Sequence, residues 1–94
     1  MAKVFLDGHI DVPEGRLAAV KAALPLHIEL TRAEPGCLSF SVTPCPDVAG
    51  RFLVSEVFAD QAAFEAHQSR NRASAWFAVT QGIARDYQIR TQGD

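Results

Sequence analysis

The stretch from Glu34 to Ala59 constrains the fold more than any other part of the chain. Glu34-Pro35-Gly36 breaks whatever precedes it. From Cys37 the pattern has period two. Leu38, Phe40 and Val42 point one way, and Cys37, Ser39, Ser41 and Thr43 the other. Pro44-Cys45-Pro46-Asp47 reads as a loop, since two prolines cannot continue a paired strand. Arg51 to Ala59 alternates again: Phe52, Val54, Glu56 and Phe58 share one face, Leu53, Ser55 and Val57 the other. Two alternating runs joined by a short loop make an antiparallel hairpin.

The flanks complete the pattern. Lys3 to Val12 reads as a strand, with Val4, Leu6, Ile10 and Val12 alternating with Lys3, Asp7, His9 and Asp11. Pro13-Glu14-Gly15 ends it and suits a helix start. Between Glu14 and Ala33, Leu17, Val20, Leu24 and Ile28 recur at helical spacing. Pro25 should kink this helix near residues 21–25. Leu26 and Leu30 lie off its main stripe, as a second apolar face for a partner subunit or for the far side of a curved sheet. Asp60 suits an N-cap for a helix from Gln61, with a break at Ser69 to Arg72. A short helix from about Ala73 to Ile83 follows, with Gly82 fitting its end. The last strand is Arg85 to Thr91, with Tyr87 and Ile89 inward. Strand, helix, strand, strand, helix, helix, strand is the α+β, ferredoxin-like βαββααβ order: one antiparallel sheet with helices on one face. The opposite face, carrying Leu53, Ser55 and Val57, needs cover and calls for a homodimer through that open face.

At 94 residues the chain reads as one domain over 1–94. A net charge of -2, with basic residues scattered, argues against nucleic-acid binding. No apolar run approaches the ~18–20 residues of a membrane span. The N-terminus lacks the apolar core and cleavage site of a signal peptide, so the cytoplasm is the expected location. In that reducing compartment Cys37 and Cys45 read as free thiols, with a disulfide across the hairpin as the alternative. Three histidines without a helical i, i+4 pair give no metal-site spacing.

The segments Glu34-Pro35-Gly36-Cys37-Leu38, Phe52 to Phe58 and Asp60-Gln61-Ala62-Ala63-Phe64-Glu65-Ala66-His67 together resemble the antibiotic biosynthesis monooxygenase family, the dimeric α/β barrels that include quinol monooxygenases. The resemblance implies a protomer whose sheet packs on its twin and a pocket between sheet and helices. It also implies oxidation of phenolic or quinol compounds by O2, often with no metal, flavin or haem. The chain departs from the family pattern at Phe58, where Trp is common, and at Arg72, where a second His is common.

His67 matches the family's helix histidine and is the candidate base, with a structural role as the alternative. Glu56 shares an apolar face with Phe52, Val54 and Phe58, so it must be paired or hold a raised pKa. These two are the expected catalytic pair. The expected substrate pocket comprises His27, Phe52, Val54, Phe58, Phe64, Arg72 and Trp76. Trp76 is placed to stack on an aromatic substrate and Arg72 to pair with a phenolate or carboxylate. The expected function is a cofactor-independent monooxygenase on a small quinol, phenol or polyketide-like aromatic. The alternative is a non-catalytic small-molecule-binding or stress-response dimer of the same fold. The haem-degrading branch fits poorly, because His67 precedes Trp76, the reverse of the order that branch implies.

Overall fold

A computed structural model describes residues 2–93. Strand β1 spans Lys3–Asp11, and a 3-10 turn at Glu14–Arg16 leads into helix α1, Leu17–Arg32. β2 (Cys37–Pro44) and β3 (Arg51–Phe58) form the hairpin. α2 (Gln61–Arg72) and α3 (Ala75–Val79) follow, then β4 (Ala84–Gln92). The four strands make one antiparallel sheet in the order β2-β3-β1-β4. This is the expected ferredoxin-like fold, with the sheet open rather than closed into a barrel.

Register turns the strand pattern into a core. Phe40, Glu56, Leu6 and Ile89 align across the sheet, and Val42, Val54, Gly8 and Tyr87 form the adjacent row. Phe58 lies opposite Val4, and Phe52 opposite Ile10. The helices cover this face, and Val4, Leu6, Ile10, Phe40, Val42, Phe52, Val54 and Phe58 are buried beneath them with Val20 and Phe64. Gly50 closes the hairpin loop at φ +79, where a side chain would also meet the Val12 carbonyl oxygen.

Four sequence expectations are corrected. The helix proper begins at Leu17, because Glu14–Arg16 forms a 3-10 turn. As expected, Pro25 lies inside one helix. Pro25 and Lys21 are both exposed, so the carbonyl that proline leaves unpaired faces water. α2 runs unbroken to Arg72, and the break falls at Ala73 and Ser74, with Ser74 Oγ accepting from the Phe77 amide to start α3. Leu38 does not follow Phe40 and Val42 inward: a bulge inserts it between Cys37, paired with Phe58, and Ser39, paired with Val57. It is 53% exposed, and Cys37 turns toward the core instead. Ile89 lies on the inner rows but is 55% exposed, because the helices pack over the other strands and not over β4. Cys37 and Cys45, placed at the start of β2 and just beyond its end, are both free thiols.

Candidate functional site

His67 sits on α2, whose N-terminus is fixed by Asp60: its Oδ1 accepts from the Ala63 amide at 2.8 Å. From that start, helical phase brings Phe64 and His67 onto the buried side. His67 is 3% exposed and lies against the Phe58 ring, centroid to centroid 4.9 Å. Its Nδ1 is 3.0 Å from Glu34 Oε2. The same carboxylate oxygen accepts from Arg70 Nε, and Arg70 Nη2 donates to Thr31 Oγ1 at 3.0 Å. A carboxylate already receiving a guanidinium N–H accepts from His67 as well, so Nδ1 carries the imidazole hydrogen. Nε2 is then the basic nitrogen.

That nitrogen points toward β3, 3.8 Å from Glu56 Oε1. Glu56 is 7% exposed among Phe40 and Leu6, and its Oε1 has no hydrogen-bond partner among the described residues. Burial, and then the charge of Glu34, push its carboxyl up to about 7. At neutral pH the group can therefore give or take a proton.

His27 of α1 completes the cluster. Its ring lies flat on Trp76, with centroids 4.7 Å apart and 5° between planes, and meets Phe40 edge-on at 5.3 Å. The His27 and His67 ring centroids are 6.3 Å apart. Burial, then the charges of His67 and Arg70, push His27 down to about 3, so it is neutral at pH 7. Its Nδ1 has no partner among the described residues.

The expected residues therefore separate. His67, Glu56, His27 and Trp76 come together with the rings of Phe58 and Phe40. Phe64 supports Phe58 edge-on, while Phe52 and Val54 are buried further along β3. Arg72 lies outside the cluster, exposed on α2. At 100° per residue, position 72 falls on the other side of the helix from His67, whereas position 70 falls beside it. Glu34, Arg70 and Thr31 were not singled out as site residues from the sequence. Arg70 had a legible signal, three residues after His67 on one helix face. Glu34 had none, since it reads only as part of a turn.

A seam between α1 and α3 reaches this cluster, lined by Leu26, His27, Leu30, Arg70, Ala75 and Trp76 among others. It holds about 20 Å3, the space of one water molecule. Among the described residues, no group of three or more His, Cys, Asp or Glu side chains gathers as a metal site would require.

The family model for antibiotic biosynthesis monooxygenase matches residues 4–79. The chain belongs to that family. Solved structures repeat the fold. A protein named as an antibiotic biosynthesis monooxygenase is 20% identical, covers 100% of this chain and 98% of its own, and superposes with a TM-score of 0.77. A conserved protein from Methanosarcina mazei is 14% identical over 99% of this chain and 95% of its own, with a TM-score of 0.78. A conserved protein of unknown function from Bacteroides thetaiotaomicron is 12% identical over 96% and 97%, also at 0.78. No curated protein matches the chain in sequence. In this family member the matched segment contains the whole cluster, from His27 to Trp76. Among the described residues no helix is long and apolar enough to cross a membrane.

Proposed function

We propose that this chain is a cofactor-independent monooxygenase of small quinols, phenols or polyketide-like aromatics, with His67 as its base. The observation that carries the reading is the Glu34–His67–Glu56 line: a carboxylate on Nδ1, and a second carboxyl, pushed up to about 7, facing Nε2. For an anthrone-like CH2, the balance is one O2 consumed, C=O formed and one water released. His67 Nε2 takes a proton from the CH2, and Glu34 offsets the imidazolium charge. The ring anion gives an electron to O2, and the ring radical and superoxide join as a peroxide, which His67 reprotonates. His67 then takes the remaining C–H proton while hydroxide leaves with the proton of Glu56. His67 passes its proton to the Glu56 carboxylate, restoring both groups.

The seam holds no ring while Trp76 lies on His27, so entry by that route requires α3 to move. The test is O2 uptake by the pure chain with hydroquinones and anthrones, against His67→Gln. Uptake at the buffer rate with every compound would remove the proposal. Phe58 and Arg72, where the family commonly carries Trp and a second His, favour a second reading, a binding or stress-response dimer without turnover. A compound that quenches Trp76 fluorescence and emerges unchanged is its expected result.

The proposed assembly is a homodimer through the outer sheet face. That face presents Phe5, Leu53 and Val57. Several of its polar groups are already paired: Arg51 with Asp11 at 2.7 Å, and Ser55 Oγ donating to Asp7 at 2.9 Å. Burying paired groups strands fewer charges than burying lone ones.

A further inference from the structure

α3 is five residues long, and none of them is buried. A helix of this length does not hold itself together; Trp76 and Val79 pack against the edge of the core, and the rest of its hold is polar. Polar ties fix both of its ends. The N-terminal tie is the Ser74 cap. The C-terminal ties come from far away in the chain. Arg16, in the turn before α1, donates from Nη1 to the Gln81 carbonyl and from Nη2 to the Val79 carbonyl. Arg85 of β4 donates to the Thr80 carbonyl at 3.2 Å. Thr80 in turn donates its hydroxyl to the Trp76 carbonyl at 2.7 Å. Two guanidinium groups thus hold the carbonyls of residues 79–81, and the last link leads back to the residue that stacks on His27.

We propose that Arg16 is a positioning residue that latches α3, setting Trp76 against His27 and closing the seam that reaches the cluster at His27. It touches none of the side chains of the cluster. It acts through the two carbonyls, and its planar fork serves both at once. Losing it leaves α3 with its partial packing, the Ser74 cap and Arg85, so the Trp76 end of the seam opens more often. The link to catalysis rests on the proposed function, while the latch itself is read without any substrate.

Trp76 is the sole tryptophan, so its fluorescence reports the latch directly. In Arg16→Ala, the emission should shift to the red and iodide quenching should rise at least about twofold, under conditions where circular dichroism shows a folded chain. Arg16→Lys, a single point donor, should fall between the two and decides the question if the alanine variant does not fold. Quenching unchanged from the unaltered chain would overturn the latch. So would an equal rise in Arg51→Gln, which removes an arginine pair on the far face of the sheet. A chain without O2 uptake whose Trp76 still responds in this way keeps the latch and loses only the monooxygenase reading.

Discussion

Glu34 Oε2 lies 3.0 Å from His67 Nδ1, although the two residues come from different segments, a turn after α1 and the middle of α2. The contact orients the ring, fixes which nitrogen is basic, and supplies the charge that an imidazolium needs. Glu34→Gln keeps a hydrogen-bond acceptor and removes the charge. With any compound that is turned over, kcat should fall roughly tenfold to a hundredfold, and His67→Gln should lose more, about 10²–10⁴-fold. The double variant should be no worse than His67→Gln alone, since both residues act as one unit. Steady-state O2 uptake reads all three. A Glu34→Gln chain at full rate would remove the charge from the mechanism.

His27 and Glu56 make opposite contributions to stability against pH. His27 stays neutral in the folded chain down to about 3, whereas its ordinary value is 6.5. The unfolded chain binds the extra proton between those values, so stability is lost as pH falls through that window. Glu56 keeps its proton up to about 7, against an ordinary 4.5, so stability is lost as pH rises from 4.5 to 7. Between 4.5 and 6.5 the two slopes cancel. Glu56→Gln should expose the His27 slope, a rise of about 1 kcal/mol per pH unit toward 6.5 relative to the unaltered chain. His27→Phe, which preserves a ring on Trp76, should expose the opposite slope. Urea unfolding at stepped pH and fixed protein concentration measures both. Variant curves running parallel to that of the unaltered chain would contradict it.

Much of this architecture is legible in the residues, and the exceptions have physical causes. Period-two alternation places Phe52, Val54, Glu56 and Phe58 on the buried face because β3 is central, with a neighbour on each side. The same argument misplaces Leu38, since a single inserted residue inverts everything N-terminal to it. It also misjudges Ile89: alternation gives the face but not which part of that face the helices cover. Asp60 is visible as a cap because capping is local. Glu34 is invisible because its role depends on which helix packs beside the turn. The choice of Arg72 over Arg70 came from the position of a family histidine, where helical phase from His67 points to Arg70.

The Glu34–His67 contact depends on how closely the turn approaches α2, and Gly36 sets that approach. A Cβ at position 36 would stand 2.2 Å from the Ala63 Cβ, so the turn or the helix must shift. Gly36→Ala should destabilise by about 1–3 kcal/mol. Ala63→Gly alone should cost up to about 1 kcal/mol of helix propensity. Together they should recover part of the loss, with a coupling above about 0.5 kcal/mol in a double-mutant cycle. Strict additivity in urea unfolding would mean that the two positions do not compete for space.

The remaining prediction concerns assembly. Leu53 is 41% exposed on a sheet face that the helices leave bare, and further along that face the Arg90 guanidinium lies 4.2 Å over the Phe5 ring. A two-fold partner presenting the same rows covers both faces at once. The unfolding midpoint of the chain should then rise with protein concentration, because folded dimer is in equilibrium with two unfolded chains. Leu53→Glu places two like charges across the symmetry axis in a dry interface and should leave monomer in sedimentation equilibrium, with a lowered midpoint. Leu38→Glu, at a more exposed leucine in the bulge of the edge strand β2, should leave mass and midpoint alone. A monomeric unaltered chain at micromolar concentration, or a Leu53→Glu chain of unchanged mass, would place the partner elsewhere. The exposed Leu26 and Leu30 of α1 would then be the next surface to test.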